Sequence, residues 1–107
     1  MTKLKQVTPR EALEMLQRGD AVEIIDVRQP AEYRETHVEP SRLVPLGELA
    51  ARTGELDGTR TLLTLCRSGN RSTIAAQQLS NAGFDVRNID GGILRWISSK
   101  LPVVKGA

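Results

Sequence analysis

The chain has 107 residues and a formal charge of +2, from 15 basic and 13 acidic side chains spread along its length; that is enough for one apolar core and lacks the basic stripe of a nucleic-acid surface. One cysteine and one histidine exclude an intramolecular disulfide and a four-ligand zinc site, and Phe, Tyr and Trp at one copy each argue against a base-stacking platform. The opening MTKLKQVTP leads into no long apolar run, so neither a secretory signal nor a membrane segment is read, and a cytoplasmic location is the default expectation.

Thr8, Pro9 and Glu11 have the form of a capping box with proline at the first helical position, followed by Ala12, Leu13 and Leu16 at helical spacing and a stop near Gly19. Residues 21–27, rich in β-branched side chains, read as a buried strand. A short helix is expected over 30–35, a surface connection through Pro40 and Pro45 with a short strand at 43–44, a helical turn or two over 47–52, and loop over 54–58. Thr61 to Leu65 is the second clear strand and runs straight into Cys66 and the polar segment Arg67-Ser68-Gly69-Asn70-Arg71. A helix beginning at Ser72 carries Ile74, Ala75, Ala76 and Leu79 and stops at Gly83; a strand follows over 86–89, then Gly91-Gly92 and a last helix with Ile93, Leu94, Trp96 and Ile97, bounded by Pro102. Strands alternating with helices predict one α/β domain over 1–107, its core over about 6–102, with three layers and a mainly parallel sheet.

Ligands of such sheets gather beyond the carboxyl ends of the strands, and Cys66 stands at one. A thiol attacks as thiolate, and a free cysteine at neutral pH is mostly protonated. The loop offers what the anion needs: backbone N–H groups at a helix start, the charges of Arg67 and Arg71, and the backbone freedom of Gly69. Such a cradle serves attack on phosphorus or arsenic in an oxyanion, or attack on sulfur with the product held as a persulfide. A bland alternative is a cysteine continuing its strand into the core.

Asp26-Val27-Arg28 with Glu32-Tyr33, His37-Val38, Val44-Pro45, the loop CRSGNRS at 66–72 and Gly91-Gly92 with Trp96 together resemble, in order, the motifs of the rhodanese family. The chain departs from that pattern at Thr36 and at Pro40-Ser41, both away from the thiol. The resemblance implies a rhodanese-like fold and a sulfurtransferase. A thiosulfate-like or persulfide donor gives its outer sulfur to Cys66, and cyanide or a thiol removes it. Backbone amides of 67–71 would stabilise the persulfide; Arg67 and Arg71 would receive the small anionic donor, with pairing to a carboxylate that holds the loop as the alternative for Arg71. Ser68, Asn70 and Ser72 complete the loop, Ser72 as a hydrogen-bond donor or a helix cap. Asp26, Arg28 and Glu32 are expected behind the loop, and His37 in a structural hydrogen-bonding role. No cofactor or metal is implied; a protein is a possible sulfur donor or acceptor.

Related phosphatases place arginine six residues after the cysteine, where this chain has Ser72, with Arg71 one place short. The smaller ring favours a single sulfur over a tetrahedral oxyanion, which leaves a phosphatase or arsenate reductase as a remote alternative. The nearer one is a weakly active or silent partner-binding or sulfur-relay module.

Overall fold

A computed structural model describes residues 4–106. Five strands among them form one all-parallel sheet: β1 (Lys5–Val7), β2 (Val22–Asp26), β3 (Arg42–Leu43), β4 (Thr61–Leu65) and β5 (Val86–Ile89), in the order β1-β5-β4-β2-β3. Helices α1 (Pro9–Gln17), α2 (Pro30–Glu35), α3 (Leu49–Arg52) and α4 (Asn70–Asn81) connect them and α5 (Gly92–Ser98) follows β5, with short 3₁₀ turns at Leu46–Glu48 and Thr53–Glu55.

Local chemistry accounts for the helix starts. Thr8 Oγ1 accepts the Glu11 amide at 3.1 Å while Glu11 returns a carboxylate oxygen to the Thr8 amide at 2.7 Å, which satisfies two donors that the first helical turn leaves open. Gly19, at φ +77°, ends the run. Helix α2 repeats the device with Pro30 at its first turn and Glu32 accepting the Gln29 amide at 3.0 Å.

Buried side chains fill both faces of the sheet. One layer joins Ile24, Leu63, Leu65 and Ile89 to Ala12 of α1 and Ile93 and Trp96 of α5; the other joins Ile25, Leu62, Cys66 and Val86 to Leu49 of α3 and Ala75, Ala76 and Leu79 of α4. The Trp96 indole N–H donates to the Pro102 carbonyl at 2.9 Å, so this core residue keeps its polar atom paired. Burial on both faces explains the near-continuous apolar runs of β2 and β4.

Three sequence expectations need correction, and one strand, β1, has no counterpart among them. Strand β1 is three residues long, and only Val7 is buried, so it carries no period that a sequence could show. The short strand falls at Arg42–Leu43 instead of 43–44. Helix α4 starts at Asn70, two residues before Ser72, because Gly69 at φ +111° is its N-cap; Ser72 is therefore inside the first turn and does not cap it. The loop expected over 54–58 begins later, since a 3₁₀ turn reaches Glu55.

Candidate active site

The chain enters β2 and leaves toward Val38 on the layer that holds α1 and α5, whereas from β4 it leaves through α4 on the opposite layer. Neighbouring strands whose continuations part in this way open a crevice at their carboxyl ends. Asp26 and Arg28 end one of those strands and Cys66 ends the other, paired in register as Asp26 with Leu65.

The Cys66 side chain is buried, 1% exposed, at the base of its loop. The Gly69 amide donates to its Sγ at 3.1 Å, and the thiol donates toward Ser72 Oγ at 3.3 Å. Ser72 Oγ in turn donates to the Gly69 carbonyl at 3.2 Å. That carbonyl also receives the Thr73 hydroxyl at 2.7 Å and the Thr73 amide at 3.1 Å. The Ser72 hydroxyl is thus the spare donor to this oxygen and can turn to a sulfur anion without orphaning it.

Two braces hold the loop. On one side Arg71 meets Glu32 in a bidentate pair, Nη1 to Oε1 at 2.6 Å and Nη2 to Oε2 at 2.8 Å. Arg71 is held above its ordinary value, first by that hydrogen bond, with further pull from the Glu32 and Asp26 carboxylates. The same hydrogen bond, with the Gln29 amide and Arg28 adding to it, brings the Glu32 carboxyl down to about 2. Behind it the buried Arg28 guanidinium takes Asp26 with Nε and Nη2, at 2.8 Å for the shortest contact, and spends its other donors on the carbonyls of Glu32 and Thr36. The buried Asp26–Arg28 pair is therefore satisfied on nearly every polar atom, the condition under which such a pair is tolerated.

On the other side α5 presses its N-terminus onto the loop backbone. The Ile93 amide donates to the Cys66 carbonyl at 2.8 Å and the Leu94 amide to the Arg67 carbonyl at 3.1 Å. A Cβ on Gly92 would stand 2.4 Å from the Arg67 carbonyl oxygen, and its φ is +63°, so only glycine allows this approach.

Arg67, Ser68 and Asn70 are exposed. Arg67 lines a cavity of about 240 Å³ between α2 and α5. His37 is buried against Tyr33, ring centroids 3.9 Å apart, with Nδ1 2.9 Å from the Tyr33 carbonyl; its backbone pairs with Val104. The structure thus brings Cys66, Gly69, Arg71, Ser72 and Glu32 together with Asp26 and Arg28 behind them, and keeps His37 in the fold. The sequence places Glu32 with Asp26 and Arg28; its backbone carbonyl does accept from Arg28, while its side chain pairs with Arg71. For Arg71 the sequence leaves two roles open, a donor's anion or a carboxylate that holds the loop, and the structure has Glu32 as that carboxylate. A carboxylate 39 residues away carries no signal in spacing. Among the described residues no group of metal-ligating side chains gathers, and no helix is long and apolar enough to cross a membrane.

The family model for the rhodanese-like domain matches residues 8–99. An uncharacterised protein of Synechocystis is 37% identical over 97 residues, which cover 89% of this chain and 54% of that protein. The thiosulfate sulfurtransferase GlpE of Pseudomonas syringae is 32% identical over 97 residues, 90% of each chain. Among solved structures, a rhodanese-related protein of Thermoplasma volcanium superposes with a TM-score of 0.87 at 29% identity, over 94% of this chain and 97% of that one. The chain spans about half the length of the first curated relatives that it matches.

Proposed function

The chain belongs to the rhodanese-like domain family, and from that premise we propose that it is a sulfurtransferase working through a persulfide on Cys66. The observation that carries the reading is the Gly69 amide on Sγ at 3.1 Å, inside a loop where the Ser72 hydroxyl, which accepts from the thiol at 3.3 Å, can turn to donate. These groups suit a charged sulfur better than a neutral thiol.

In the first half-reaction the Cys66 thiolate attacks the outer sulfur of a thiosulfate-like donor. A new S–S bond forms to Cys66, the donor's S–S bond breaks, and sulfite departs with the electron pair. The negative charge now rests on the outer sulfur. In the second half-reaction cyanide or a thiolate attacks that sulfur, and the electron pair of the broken bond returns to Cys66. Atoms and charge balance in both halves, so no cofactor takes part.

Because Glu32 occupies Arg71 on both nitrogens, the donor's anionic end falls to Arg67 and the loop amides, while Arg71 fixes the ring. The relatives named as sulfurtransferases support the enzyme reading over a silent binding module. The experiment is incubation with thiosulfate, intact mass for one added sulfur, and thiocyanate formation with cyanide, for the wild type and Cys66→Ser. One added sulfur and turnover in the wild type alone are expected. A serine variant that turns over equally removes Cys66 as the nucleophile.

A further inference from the structure

Among the described residues only three large hydrophobic side chains are exposed, Ile74, Leu94 and Ile97, and two of them, Leu94 and Ile97, line the cavity of about 240 Å³ that opens beside Arg67. Its apolar wall is α5. Facing it are Glu35 and Thr36 at the end of α2, and Arg67, the residue after Cys66, completes the lining.

The charges around this groove fall into two kinds. Arg28 is spent on Asp26, and Glu32 on Arg71. Glu35 and Arg67 are both exposed and have no ion-pair partner among the described residues. An exposed apolar wall between one open anion and one open cation is complementary to a short aliphatic body carrying both an ammonium and a carboxylate. Its volume is below that of ordinary drug-sized sites, of about 300–1,000 Å³, which limits the occupant to the size of an amino acid or small peptide.

The geometry points to a zwitterionic, amino-acid-type thiol as the acceptor that removes sulfur from this site, its carboxylate toward Arg67, its ammonium toward Glu35 and its methylenes on Leu94 and Ile97. This rests on the persulfide reading above and names the acceptor class within it. The acceptor's thiolate attacks the outer sulfur of the Cys66 persulfide. The new S–S bond forms on the acceptor, the bond to Cys66 breaks, and the electron pair returns to Cys66 Sγ. The proton of the acceptor thiol has gone to solvent, and the product leaves as an acceptor persulfide.

The test compares three acceptors at matched thiolate concentration on protein supplied with thiosulfate: cysteine, cysteamine, which lacks the carboxylate, and 3-mercaptopropionate, which lacks the ammonium. Exposed ion pairs are weak, so each missing charge should lower kcat/KM by about threefold, not by orders of magnitude. Glu35→Gln should erase the advantage of cysteine over 3-mercaptopropionate and keep its advantage over cysteamine. Arg67→Gln should do the reverse. Both sites are exposed, and circular dichroism checks the fold of each variant. Equal use of the three thiols, or preferences that neither variant changes, overturns the assignment. Cyanide turnover by the same wild-type preparation separates the two levels: with cyanide used and no preference among thiols, only the acceptor class fails. Absence of cyanide turnover overturns the persulfide reading and this inference with it.

Discussion

The two braces of the Cys66 loop do the same work by different physics. The α2 side holds it with charge: Glu32 on Arg71, backed by the buried Asp26–Arg28 pair. The α5 side holds it by shape, with two backbone hydrogen bonds and a glycine against the Arg67 carbonyl. A charge brace can be weakened in steps by pH or a neutral isostere, because the partners stay in place. A brace of close backbone contact has no intermediate setting. The positions should therefore fall into a graded class and an all-or-none class.

The largest effect is expected from Gly92→Ala. Its Cβ would meet the Arg67 carbonyl oxygen at 2.4 Å, in a backbone conformation that L residues avoid. A loss of more than about 4 kcal/mol is expected in chemical denaturation, with sulfur transfer abolished. A near-native variant would break the contrast by showing that α5 can slide.

Next comes Asp26→Asn. Asp26 and Arg28 are both buried, and neutralising one partner leaves the other charge uncompensated, which costs about 3–5 kcal/mol. Urea denaturation checks this, and a cost under about 1 kcal/mol would mean that the pair contributes little to the charge brace.

Glu32→Gln should be milder. The amide still accepts one hydrogen bond from Arg71 but loses the ionic, bidentate contact, so about 1–2 kcal/mol is expected. The resulting loop mobility should appear as faster alkylation of Cys66 and a lower kcat. An effect as large as that of Gly92→Ala would move this contact into the all-or-none class.

The effect of pH is smallest near neutrality, where Glu32 stays ionised, and grows only in acid. The Glu32 carboxyl titrates near 2 in the folded chain against an ordinary value of 4.5. A depressed folded value means that the unfolded chain binds the proton first. The contribution of Glu32 is then complete above about 4.5 and disappears as pH falls toward 2. Stability measured across that window should decline in the wild type and decline less in Glu32→Gln. Parallel declines in the two proteins would assign the acid limb to other carboxylates.

Much of this was legible in the sequence, for reasons that can be named. The capping box at Thr8 and Glu11, the β-branched run of β2 and the apolar run of β4 are local signals, each strong within a few residues. The thiol, its loop and the order of the surrounding motifs were legible for the same reason. What escaped was set by distance or by backbone conformation. Strand β1 is too short to show a period; it exists because β5 pairs with it 82 positions away, Gln6 beside Asn88. The start of α4 follows from the positive φ of Gly69, a choice that glycine permits but does not announce. The pairing of Glu32 with Arg71, and the pressure of Gly92 on residue 67, are contacts between segments that the sequence keeps far apart.

The sheet order has a consequence for the time course of folding. Strand β4, which ends at Cys66, sits in the centre, flanked by β2 and β5, and every pairing in this parallel sheet joins segments distant in the chain. Long-range pairings form late because loop closure must precede them. Until β2 docks on β4 the charge brace is absent, until β5 docks the α5 brace is absent, and Cys66 stays accessible while either is missing. Its burial therefore marks near-completion of the fold. During refolding, protection of Cys66 from a thiol reagent should lag behind the gain of helical signal.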